Sequence, residues 1–194
     1  MFEGCTGLLT PPELTPVILS TKCYKNMFKG CTHLVEAPIC RAITTARQCF
    51  ENMFYGCTSL IEVMHMDSRF SGFYVSSTDN PRDYGYEMCG MYRGCTSLTI
   101  GYGQLTYGYT VGCYQELYYE CTSLTTPDDF IDSTPIGTNI NDKNTLKSYC
   151  CKSMYQSSGV ESVKIPAVPI ELSERTFGNG TFGMEEIVTR VSTN

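Results

Sequence analysis

The chain repeats itself, and that constrains its fold more than any other feature. MFEGCTGL at residue 1 returns as MFKGCTHL at 27, MFYGCTSL at 53, MYRGCTSL at 91 and LYYECTSL at 117. A worn copy, MYQSSGVESV, begins at 154, and FGNGTFGMEEIV at 177 is a fainter one. The first spacings are 26, 26, 38, 26 and 37, so the period is 26 residues and two copies carry insertions of 12 and 11. A unit of this length cannot bury its own apolar face, so neighbouring units must stack.

A second element precedes most copies: CYKN before Met27, CFEN before Met53, CYQE before Leu117 and CCKS before Met154. In TTARQCFENMFYGC the apolar residues Ala46, Cys49, Phe50, Met53 and Phe54 follow the stripe of a short amphipathic helix. Thr44 or Thr45 would cap it, and Gly56 stands where a left-handed residue ends a helix. Gly4, Gly30 and Gly94 hold the same place, whereas Glu120 departs from it. CTSLIEV, around Leu60, reads as a short strand. Connectors bearing Pro11–Pro12, Pro38 and Pro127 lead to the next unit. The expectation is an α/β repeat protein, a solenoid with one short strand and one short helix per 26-residue turn.

The string CYxxMFxGCTxL followed by a Pro-bearing segment resembles the BspA-type leucine-rich repeat of Bacteroidetes surface proteins and associated viruses. The likeness is strong over 1–60 and 87–125 and weak over 62–86, 126–148 and beyond 156. It implies a curved, right-handed leucine-rich-repeat-like solenoid used for adhesion or partner binding, with no active site to carry over. The organisation expected is BspA-like repeats over 1–148, with insertions at about 64–86 and 125–147, and degenerate repeats and a cap over 149–194. EIVTRV reads as a closing strand.

The cysteines follow the repeat. Cys5, Cys31, Cys57, Cys95 and Cys121 form one column at the strand starts. Cys23, Cys49, Cys113 and Cys150 form another on the apolar face, with Cys89 joining it by a register shift. Cys40 and Cys151 lie outside both. Stacked thiols make a sensible apolar core, and a disulfide within each turn is the rival arrangement. A zinc site is not expected: C-x-x-C is absent, and His33 and His65 lack a cysteine at ligand spacing. His33 reads as a surface residue.

Nine of the 14 tyrosines fall between 84 and 119. Tyr92, Tyr114 and Tyr118 occupy repeat positions held elsewhere by Phe or Tyr. Tyr84, Tyr86, Tyr102, Tyr107 and Tyr109 are the candidate binding residues, the last three in GYGQLTYGYT, where another copy has a Pro-containing connector. Large amphipathic rings among Gly and Thr have the composition of a paratope. Both insertions and this connector fall at the same place in consecutive turns, which sets three variable loops on one rim. The acidic and amide residues of 125–147 lack the D-x-D-x-D-G run of a calcium loop and read as solvated.

Charge and motifs narrow the function. The net charge is −6 without a Lys/Arg cluster, which argues against nucleic-acid binding. No apolar run is long enough for a membrane span, and no signal peptide is evident. Catalytic motifs are absent, so no enzyme and no cofactor is expected. Met1 occupies the lead Met of a repeat, so another chain or a missing segment is expected to cover Phe2, Cys5 and Leu8. The leading expectation is an adhesion module, extracellular, on a cell surface or virion, presenting its Tyr-rich rim to a protein or glycan on a host or neighbouring subunit. A structural part of a larger assembly, such as a virion fibre, tail or decoration protein, is the alternative.

Overall fold

A computed structural model describes residues 1–69, 85–105, 110–130, 149–161, 163–166 and 188–191. Among them there is no α-helix. The segment expected to be helical is a run of four-residue turns. Around Met27, the N–H groups of Lys25, Met27, Lys29 and Cys31 donate to the carbonyls of Lys22, Tyr24, Asn26 and Phe28, three residues back. The alternate amides leave the turn. Tyr24, Asn26, Phe28 and Gly30 donate to Cys49, Glu51, Met53 and Tyr55 of the next copy at 2.8–3.0 Å. Every backbone donor is thereby used, half locally and half between copies.

This geometry needs a left-handed residue at every fourth position. Gln48, Asn52 and Gly56 have φ of 57, 54 and 74°. Lys22, Asn26 and Gly30 repeat the series at 61, 58 and 73°. Asn and Gly tolerate that region best. Gly56 is therefore left-handed as expected, but as the last of three such residues and not as a helix terminus. The helical expectation failed for a geometric reason. A period of four brings Cys49, Met53 and Cys57 to one face, and over nine residues that pattern matches a 3.6-residue period.

Strands are equally short. The expected strand of CTSLIEV shrinks to one parallel bridge, Glu62 to Ile100. Leu14, Cys40 and Met66 form successive parallel bridges, as do Ile18 and Thr44. β1 (Gln104–Leu105) pairs in parallel with β2 (Asp129–Phe130), and β3 (Val163–Pro166) with β4 (Val188–Val191). β4 lies within the segment expected to close the chain. No helix of the described residues is long and apolar enough to cross a membrane.

The core is a set of columns running from copy to copy. Phe2, Phe28, Phe54, Tyr92, Tyr118 and Tyr155 stack face to face, with centroids 5.5–5.9 Å apart. The lead residues Met27, Met53, Met91, Leu117 and Met154 are buried beside them, as are Leu34, Leu60, Leu98 and Leu124. Stacked pairs of this kind add about 0.5–1.5 kcal/mol beyond area burial. Phe2 and Leu8 are half-buried and Cys5 is exposed, while Phe2 stacks on Phe28.

In this structure the twelve cysteines are unbonded to one another. In the first column, Cys31, Cys57, Cys95 and Cys121 each donate Sγ–H to the carbonyl of Phe2, Phe28, Phe54 and Tyr92 at 3.0–3.1 Å. Burial pushes the thiols of Cys57 and Cys121 up to about 12. The second column needs two corrections. Glu87, not Cys89, follows Cys49: Phe50 N–H donates to Glu87 O as Tyr24 N–H does to Cys49 O. Cys89 instead receives Asn52 N–H, the place Glu51 holds in the preceding copy. Cys23, expected on a buried face, is exposed, whereas Cys40, set outside the columns, is buried in the bridge ladder.

Candidate functional site

The three variable loops leave the stack from equivalent points. Met64, Tyr102 and Asp128 each lie eleven residues after the lead residue of their copy. Each directs its backbone N–H to the hydroxyl of the stacked tyrosine in the following copy. Met64 N–H reaches Tyr92 Oη at 2.8 Å, Tyr102 N–H reaches Tyr118 Oη at 3.3 Å, and Asp128 N–H reaches Tyr155 Oη at 2.9 Å. The rings are held by the aromatic column, so the hydroxyls are rigid acceptors beneath the loop roots. Burial pushes the phenols of Tyr92, Tyr118 and Tyr155 well above their ordinary value, which keeps them neutral.

The roots are also tied to one another. Tyr92 Oη lies 2.8 Å from Tyr102 Oη, and the two rings meet edge to face. Gly103 N–H donates to Asp128 Oδ1 at 2.8 Å, joining the second root to the third. Hydrogen bonds of this kind at buried sites are costly to break, because an unpaired partner remains behind.

The returning ends of two loops meet at Glu87. Its carboxylate is fully buried. Gly85 N–H donates to Oε1 at 2.7 Å, and Thr110 Oγ1 donates to Oε2. Gly85 precedes the copy that begins with Met91, and Thr110 precedes the copy led by Leu117. One side chain thus fastens the return of the first loop to the return of the second. Burial pushes the Glu87 carboxyl up, against the hydrogen bonds from Thr110 and Gly85 and the field of Arg47.

The candidate binding residues divide. Tyr84, Tyr107 and Tyr109 lie outside the described residues. Tyr86 is half-exposed, with φ of 58° and its N–H on Val111 O at 2.9 Å. Its ring lies over Gly112, where a Cβ would come within 2.5 Å of Tyr86 Cε1, so Gly112 makes room for it. Tyr102 is a correction. It packs against the core with its hydroxyl turned to Tyr92, so it supports the rim from beneath and is not a free ring upon it. Met64 and Tyr86, placed inside the first insertion by the sequence reading, belong to the framework.

Sequence reading missed Glu87 and Thr110 and what the tyrosine hydroxyls do, and its reading of Asp128 as a solvated loop residue is corrected: Asp128 is buried, its carboxylate on Gly103 N–H. One signal was present. Pro12 and Pro38 occupy the loop-root position in the first two copies, and Phe28 and Phe54 are the aromatics that follow. Proline has no N–H, and Phe has no acceptor. Where the root carries an N–H, the aromatic is Tyr.

Elsewhere the surface is locally paired. Lys29 lies over the Tyr55 ring, and Arg93 lies over both Tyr55 and Tyr119 at 5.4 and 4.5 Å while pairing with Glu116 at 2.7 Å. His33 is exposed, its Nδ1 2.6 Å from Thr6 O. Among the described residues no group of His, Cys, Asp and Glu is arranged to hold a metal ion. Comparison of the chain with protein-family models, with curated proteins and with solved structures finds no match in any of the three.

Proposed function

We propose that the chain is a right-handed, leucine-rich-repeat-like solenoid acting as a non-enzymatic binding or adhesion module, at a cell surface or on a virion. In this reading the expected helix of each turn is replaced by the run of four-residue turns. Its variable loops form the binding rim and take a protein or glycan partner. One observation carries this: three consecutive loops spring from the same repeat position, and each root is bonded to a rigid tyrosine hydroxyl below it. A scaffold that fixes loop roots while letting the loop sequences differ suits recognition, because less ordering entropy is lost on binding.

The test is a binding screen against glycan arrays and intact bacterial surfaces, with wild type compared to a Tyr107→Ser, Tyr109→Ser double variant. The expected result is a loss of about tenfold or more in affinity with an unchanged melting temperature. Equal binding by both proteins would sink the rim as the contact surface.

A structural role in a larger assembly is the second reading, favoured by a different feature. Leu9, Val35 and Ile61 recur at one repeat position, with Ile100 one residue further on in its copy, and all four are 41–66 % exposed. An aliphatic stripe across four copies suits a neighbouring subunit.

A further inference from the structure

We propose that Cys113 and Cys150 are a disulfide-forming site that clasps two successive copies together around the third variable loop. They are adjacent members of the second cysteine column. Their sulfurs lie 3.6 Å apart, and both residues are fully buried. Tyr114 N–H donates to Cys150 O at 2.8 Å, which holds the two backbones at the separation of hydrogen-bonded neighbours. That separation is about 4.8 Å in stacked parallel segments, inside the Cα range of about 4.4–6.8 Å that a disulfide spans. A small rotation of either side chain brings the sulfurs to bonding distance.

Four other thiols are arranged differently. Cys31, Cys57, Cys95 and Cys121 each aim at a backbone carbonyl of the preceding copy. The second column is interrupted by Glu87, which separates Cys49 from Cys113. Cys151 is 3.5 Å from Cys150, but the two are consecutive in the chain. A bond between neighbours closes a small ring through their shared peptide, with geometry far from the preferred dihedral, so the pair between copies is the favoured one.

The chemistry balances with a small-molecule disulfide such as oxidised glutathione. Thiolate attack by one cysteine releases one glutathione thiol and leaves a mixed disulfide. Attack by the second cysteine forms the Cys113–Cys150 bond and releases the other. Two electrons and two protons pass to two glutathione molecules. Both thiols are buried, so the reaction proceeds while the chain folds or while this part of the stack opens. The closed ring contains residues 113–150, which include the whole of the third loop, and the bond ties the loop's return to the copy before it.

The clasp is independent of the binding role and is tested on the full chain. The protein is refolded in a glutathione buffer rich in the disulfide form, denatured, alkylated and digested, and the cross-linked peptides are mapped by mass spectrometry. The expected result is one dominant cross-link, Cys113 to Cys150, with Cys57, Cys95 and Cys121 alkylated. It should persist in Cys151→Ser, and the oxidised protein should have a higher urea midpoint than the reduced one. Recovery of Cys113 and Cys150 as alkylated thiols would overturn the proposal. So would a dominant bond from either to another cysteine, or an oxidised protein no more stable than the reduced one. The wild-type cross-link map is decisive even if a variant fails to fold.

Discussion

The first two connectors and the next three solve one packing problem in opposite ways. At Pro12 and Pro38 the loop root has no N–H, and the aromatics of the following copies are Phe28 and Phe54. At Met64, Tyr102 and Asp128 the root has an N–H, and the following aromatics are Tyr92, Tyr118 and Tyr155, whose hydroxyls accept it. Proline with phenylalanine leaves nothing polar to satisfy; an amide with tyrosine satisfies both groups. A mixed pair would bury an orphan at a cost of about 1–3 kcal/mol. The lesson is that a repeat protein can change the character of its connectors only if it changes the core residue beneath them. All three variable loops lie in the tyrosine half.

The largest test of this comparison removes a whole ring. Tyr92→Ala and Phe54→Ala each interrupt the aromatic column and should cost about 3–5 kcal/mol in urea denaturation. Tyr92→Ala should be the worse, because it also strips the acceptor from Met64 N–H and the partner from Tyr102 Oη. Equal losses would show that the hydroxyl contributes nothing.

The next test isolates the hydroxyl. Tyr92→Phe should destabilise by about 1–3 kcal/mol. Met64→Pro places in this copy the residue that the first two copies carry at the same position. The double variant Tyr92→Phe, Met64→Pro should be more stable than the sum of the single effects implies. Strict additivity in the double-mutant cycle would break the proposed matching.

A smaller effect separates Glu87 from the cysteines in its column. Burial raises its folded-state pKa above the unfolded value, so its favourable contribution is fully present below the ordinary carboxylate range. That contribution is lost as pH rises through the raised value. Cys49 and Cys113 flank it, both thiols pushed up by burial, and Arg47 opposes the shift. The stability difference between wild type and Glu87→Gln should therefore move in favour of wild type as pH falls from neutral toward the ordinary carboxylate range. A pH-independent difference would mean that the site is not desolvated. Last comes the outer ladder. Lys29→Met should change stability by no more than about 1 kcal/mol, since its ion pair and cation–π contact are solvent-screened.

Much of the arrangement was legible in the chain itself. The repeat length, the alignment of its copies, the buried Phe, Met and Leu columns and the left-handed residue at Gly56 all follow from similarity between copies. Equivalent residues in a stack meet equivalent surroundings, and that inference needs no coordinates. The matched Pro/Phe and amide/Tyr pairs were equally visible as residues, but their meaning depends on knowing that a loop root lies over the aromatic of the next copy.

Three features were set by tertiary contacts. Whether Cys49, Met53 and Cys57 lie on a helix or on successive turns depends on where the amides of Phe50, Asn52 and Phe54 donate, and those bonds go to Glu87, Cys89 and Met91 of the following copy. Glu87 sits in a thiol column because Thr110 of the following connector, together with its near neighbour Gly85, supplies donors to its carboxylate. Tyr102 turns inward, although its neighbours in GYGQLTYGYT suggested an exposed ring, because Tyr92 offers its hydroxyl a partner and the core offers its ring a surface. In each case the deciding contact lies outside the local segment: the following copy for the turns and for the Thr110 bond to Glu87, and the aromatic column for Tyr102.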